Sequence, residues 1–153
     1  MGLLSKLKKE PELKTKEMKG YCFIPNYKDE ELIEVLQCNP LFELSTADLA
    51  EKGYVGKRVF KYYSDYDRGQ VTLEKDPKNK EDKNAVKILL SGHFFGYINR
   101  DDAPFVGKLL KKDSIQKTTM KVTGGPTRTI ITNKHSGADR RDFDVKVTIS
   151  YYE

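Results

Sequence analysis

Tryptophan is absent from this chain, and cysteine and histidine occur only twice each. The two cysteines, Cys22 and Cys38, are too few for a disulfide scaffold, and their spacing fits no zinc or redox motif. His93 and His135 stand apart from each other without a cluster of other ligand-type residues, so no metal site is expected. No apolar run approaches the roughly 20 residues needed to cross a bilayer, so no membrane partner is expected. At the start of the chain, Leu3, Leu4 and Leu7 alternate with lysines and no longer apolar core follows, unlike a signal peptide. Gly2 opens a stretch with Lys6 where a myristoylation signal needs Ser or Thr. A reduced, cytoplasmic setting is the resulting expectation.

Catalytic groupings are equally scarce. No Ser/His/Asp or Cys/His pairing stands out. Gly124-Gly125-Pro126 lacks the GK[ST] ending and the following helix of a phosphate-binding loop, and reads better as a bulge or bend. Asp101-Asp102 suits a helix start, and Asp142/Asp144 alternates along a strand. The chain is therefore read as a binding protein and not an enzyme, with no catalytic residue and no cofactor.

What the sequence does have is charge and aromatic mass. Charged residues make up 33% of its 153 residues and apolar ones 37%, while nine Tyr and seven Phe supply core volume. The charge is unevenly spread. Residues 1–20 hold six Lys and three Glu, net +3; residues 21–53 hold two Lys and seven acids, net −5; residues 54–153 hold 20 Lys or Arg and 13 acids, net +7. Residues 1–20 read as a basic flexible tail, 21–53 as an acidic helical extension, and 54–152 as the main domain. Its basic excess favours an anionic partner.

Local patterns predict the elements. KDEELIEVLQ carries a helical stripe of Leu32, Ile33, Val35 and Leu36, and Ser45-Thr46-Ala47-Asp48 is a second helix start closed by Gly53. YCFIP is a short strand candidate. From Tyr54 the period becomes two: YVGKRVFKYY, QVTLEK, NAVKILL and HFFGYIN read as strands, separated by SDYDRG, the polar loop DPKNKED, and Ser91-Gly92. RDDAPFVGKLLKK has acids at its start and lysines at its end, which suits the helix dipole. IQKTTMKVTGG, TRTIITN and DFDVKVTISYY supply up to three more strands, with KHSGADRRD read as an exposed mobile loop. The order β-β-β-β-α-β-β-β lacks the βαβ repeat of a doubly wound sheet. It suits a mainly β fold, a small barrel of about six strands with one covering helix.

Three pieces in order, FKYY at 60–63, LEKDPKNKEDKNAVKI at 73–88 and GYINRDDAP at 96–104, resemble the HIRAN family. The resemblance covers about residues 54–125. It implies an OB-like barrel that binds nucleic acid, gripping single-stranded DNA or DNA 3′ ends, in repair, replication or phage-related processes. HIRAN domains also occur joined to helicase-like ATPases and nucleases, so a helicase or nuclease is the implied protein partner. The site residues implied are Lys61, Tyr62 and Tyr63 after the first strand, Asn79 and Asp82 in the loop, and Tyr97 and Arg100 at the end of the fourth strand. Tyr62 is the first choice for stacking on a base, Asp82 for accepting a hydrogen bond from a 3′-hydroxyl, and Lys61 and Arg100 for phosphates. Asn79 and Asp82 also have turn-forming side chains. Glu81 stands where family members often carry an aromatic ring. The alternative is a protein-interaction domain that kept the HIRAN fold without DNA-end recognition.

Overall fold

The computed structural model describes residues 12–22, 38–66 and 70–153, except the side chains of residues 63–65. The helix expected over KDEELIEVLQ lies outside the described residues, as do the N-terminal leucines.

Strand β1 (Lys14–Cys22) is followed by a 3-10 turn (Pro40–Glu43) and helix α1 (Thr46–Glu51). Then come β2 (Arg58–Tyr66), β3 (Val71–Lys75), β4 (Val86–Leu90), β5 (His93–Ile98), helix α2 (Ala103–Lys111), β6 (Ile115–Ile130) and β7 (Ser136–Tyr151). The strands form one antiparallel sheet in the order β2-β6-β7-β1-β5-β4-β3. The mainly β, OB-like class expected from the sequence holds, with seven strands in a sheet that stays open. It curls until β3 comes back against β6, and Leu109 and Leu110 of α2 sit at that seam with Val71, Leu73 and Ile115.

The core lies inside the curl. Val86, Ile88 and Leu90 alternate inward from β4, and Val145, Val147 and Ile149 do so from β7. Ala103, Val106 and Leu109 close it from α2, at the spacing of one helical face. A second, smaller cluster of Leu49, Val59 and Ile130 holds α1 to the back of β2 and β6. Arg128 pins that segment further. Its guanidinium donates to the carbonyls of Phe42 and Leu44 and to Thr46 Oγ1. Ser45 caps α1 by accepting the Asp48 N–H at 3.1 Å, as its sequence position predicts.

Three expectations are corrected. The basic tail assigned to residues 1–20 contains most of β1, a central strand bonded to β7 along Lys14–Gly20 and to β5 along Gly20–Cys22. Its fully buried positions are only Met18 and Gly20, with Cys22 half-buried against the core, so the apolar alternation that marks a strand is nearly missing. The main domain therefore does not begin at Tyr54. The three strands expected after α2 are two long ones, joined by a turn at 131–135 in which Ile131 donates to the His135 carbonyl at 2.9 Å. The segment expected as a mobile loop is the first half of β7, paired to β6 from Ser136↔Ile130 to Arg141↔Gly125. β1 does not reach this half, so it needs hydrogen bonds on one edge only and can be polar throughout. The Gly124-Gly125 bend is a bulge, as read: the β6–β7 register shifts between Thr123 and Gly125.

Candidate nucleic-acid interface

The loop between β3 and β4 is built by its own polar side chains. Asp76 and Ala85 close its neck through an N–H to carbonyl bond of 2.8 Å. Inside it, Asn79 Oδ1 accepts from the N–H groups of Glu81 and Asp82 at 2.9 and 3.1 Å. Asp82 Oδ1 accepts from the Asn84 N–H at 2.9 Å. These bonds replace missing secondary structure and hold the loop in one shape. They use one oxygen of Asp82. The other, Oδ2, lies 3.8 Å from Arg100 Nε, whose guanidinium also donates to the Glu81 carbonyl at 3.1 Å. Asp82 is mostly covered, with its side chain 20% exposed, while that of Arg100 is 71% exposed.

Strand β5 supplies the floor. Tyr97 donates its hydroxyl to Asp76 Oδ2 at 2.8 Å, tying the strand to the neck of the loop. Burial, then the Asp76 hydrogen bond, push the Tyr97 phenol above its ordinary pKa. It is thus held as a neutral donor. Phe94 meets its ring edge-on at 5.3 Å.

Loop and strand enclose a shallow cleft of about 180 Å³, lined by Tyr21, Asn79, Glu81, Asp82, Ala85, Tyr97, Ile98 and Arg100. Four of the residues expected at the site, Asn79, Asp82, Tyr97 and Arg100, are brought together here. The rest are not. Tyr62 is only 4% exposed; its ring packs 5.8 Å from that of Phe143, beneath the β6 bulge. Its choice as the stacking ring is corrected: it is a core residue. Lys61 lies over that ring, with Nζ 5.5 Å from the centroid, and its carbonyl accepts from the Asn39 N–H. Both sit on β2, four positions from β5 in the sheet order, and neither lines the cleft. Backbone register sets Tyr63 opposite Thr123; its side chain is outside the described residues.

One cleft residue was missed. Tyr21 is directly opposite Tyr97 across the β1–β5 pair, 48% exposed, with Lys19 Nζ 5.3 Å from its ring centroid. YCFIP read as a strand, but nothing local says that this strand joins β5. The available signal was local: Tyr21 follows Lys19 by two places, so in a strand the ring and the ammonium share one face. Tyr21 provides an aromatic ring in the cleft, which Glu81 does not.

The family model for the HIRAN domain matches residues 51–135. The chain belongs to the HIRAN family. HIRAN domains are in general nucleic-acid-binding modules, and the cleft carries Asn79, Asp82, Tyr97 and Arg100 of the residues that the motif had indicated. Comparison with curated proteins and with solved structures finds no match. Among the described residues no helix is long and apolar enough to cross a membrane.

Proposed function

We propose that this HIRAN protein is a non-enzymatic binding module for single-stranded DNA and that the cleft takes the 3′ end of the strand. The observation that carries the reading is the pairing of Asp82 with Arg100 at the mouth of a cleft walled by Tyr21. Asp82 Oδ2 is an acceptor for a terminal hydroxyl. Arg100 beside it is a donor for the preceding phosphate. Tyr21 offers a ring face on which a base stacks whatever its identity, worth roughly 1–3 kcal/mol. A continuous strand has no free hydroxyl to give Asp82, so that residue separates ends from interiors. The cellular setting that follows is cytoplasmic DNA repair, replication or a phage-related process, with a helicase or nuclease as protein partner.

Fluorescence anisotropy with oligonucleotides bearing a free or a blocked 3′-hydroxyl tests this at low salt. Wild type should prefer the free end. Asp82→Ala should bind both alike, and Tyr21→Ala should weaken both by roughly 5- to 150-fold. No binding of either oligonucleotide would leave the alternative, a protein-interaction domain, which the anionic Glu81 on the cleft wall favours.

A further inference from the structure

The outer face of the sheet carries an arrangement that the cleft does not use. Lys121 on β6 is directly opposite Lys146 on β7, and Lys146 is directly opposite Lys19 on β1. Three exposed lysines therefore stand side by side across three adjacent strands. Like charges directly opposite one another destabilise a sheet, and lysine is a poor strand former. Acids flank the row without interrupting it: Glu17 approaches Lys146 at 4.0 Å, with both side chains more than half exposed. Asp144 sits opposite Thr123 two positions along the strands, and Asp65 of β2 is opposite Lys121 in register.

This ladder leads to the cleft. Lys19 is bonded through its carbonyl to the N–H of Asn99 at 2.9 Å, the neighbour of Arg100, and its ammonium lies over the Tyr21 ring. Beside Lys121 and Lys146 the face holds a depression of about 460 Å³, flanked by Thr119, Thr148 and Glu17. Two inter-strand spacings separate the outer lysines, roughly 10 Å, so with their flexible stems the three can neutralise two or three consecutive phosphates.

We infer that the Lys19–Lys146–Lys121 ladder is a backbone track for single-stranded DNA: a strand whose terminus lies in the cleft leaves over Tyr21 and crosses β1, β7 and β6 on these lysines. The inference rests on the proposed DNA-end reading and extends the site from the terminal nucleotides to the length of strand behind them. Its chemistry is sequence-independent, because ammonium groups pair with phosphates and read no base edge.

The test compares a trinucleotide with a decanucleotide of thymidine, both with free 3′ ends, on the full chain. Wild type should bind the longer strand more tightly. The double variant Lys121→Gln, Lys146→Gln, which leaves Lys19 in place beside Tyr21, should bind the trinucleotide as wild type does and lose most of the gain from length. Its salt slope on the longer strand should be shallower by about 1.4, at about 0.7 for each phosphate that the lysines no longer neutralise. Between about 50 and about 200 mM salt, wild type should then lose roughly 7-fold more affinity than the variant. The matching double Lys→Arg variant keeps the charge and should keep the length gain; it serves as the reference if the Gln variant folds poorly. Equal binding of the longer strand by wild type and the Gln variant overturns the track and leaves the cleft standing. Parallel loss on both lengths also overturns it. Failure of wild type to bind either strand overturns the cleft reading and the track with it.

Discussion

Gly96 is where the sheet and the cleft depend on the same atom. A Cβ there would lie 1.7 Å from the Tyr21 carbonyl oxygen, 2.7 Å from its carbon and 3.1 Å from Cys22 Cα, all of them backbone. No rotamer change relieves a backbone clash. To bring the oxygen to even 3.0 Å, β1 must retreat by about 1.3 Å. The neighbouring bonds from Asn99 to the Lys19 carbonyl, 2.9 Å from its N–H and 3.1 Å from its amide, cannot survive such a shift. Overpacking costs about 1–3 kcal/mol and each broken bond about 1 kcal/mol, while the stiffer unfolded chain returns about 0.4–1 kcal/mol. Gly96→Ala should therefore destabilise by about 3 kcal/mol, lowering Tm by roughly 6–12 °C for a chain of this size. Urea denaturation followed by circular dichroism reads the loss directly. Single-strand affinity should fall in parallel, since Tyr21 is carried out of the cleft with β1. A loss below about 1 kcal/mol at unchanged m-value would refute the placement of β1 against β5.

Two further outcomes follow from particular groups. The Tyr97 phenol is held above its ordinary pKa by burial and by its bond to Asp76, so its contribution to stability is complete below the unfolded value near about 10 and is lost as pH rises through the folded one. Urea midpoints measured from neutral to strongly alkaline pH should fall less steeply at the alkaline end in Tyr97→Phe than in wild type; parallel profiles would deny Tyr97 that role. Thr127 Oγ1 is buried with no hydrogen-bond partner among the described residues, so Thr127→Val, similar in volume and free of the hydroxyl, should raise stability by roughly 1 kcal/mol, and a lower urea midpoint would show that the hydroxyl is satisfied after all.

What could be read from the sequence was whatever is decided locally. The NAVKILL alternation is recovered as the buried positions Val86, Ile88 and Leu90 because each residue's face depends only on its neighbours. The loop was legible because Asn79 and Asp82 fold it through bonds to residues two or three places away. The ring that enters the core from FKYY was not, although strand parity required that Tyr62 and Tyr63 point to opposite faces. The β2–β6 register shifts between Phe60 and Tyr62, opposite a bulge some 60 residues further along, and that bulge helps decide which tyrosine goes inside. β1 was not legible either. Its fully buried positions are Met18 and Gly20, and at Gly20 a Cβ would meet Ile88 at 2.9 Å and Val145 at 3.0 Å. The lack of a side chain there is a packing requirement of distant strands, and in the sequence it looks like a flexible tail.

The same division explains how recognition and architecture are distributed along the chain. The family match at 51–135 spans the loop, β5 and α2, and so includes Asn79, Asp82, Tyr97 and Arg100. β1 and β7 lie outside it. Yet these two strands are neighbours at the middle of the sheet, between β2-β6 on one side and β5-β4-β3 on the other. Without them the matched stretch would be two separate small sheets, and Val145, Val147 and Ile149 would be missing from the core. The motif residues therefore depend, for their mutual placement, on strands that carry no motif. Those strands also bring Tyr21 to the cleft wall and line up Lys19 and Lys146 beside it. On the proposed reading, the loop would provide the features by which an end is told from an interior, and the flanking strands the ring and the cations that hold a strand of any sequence, so mutation should separate the two properties.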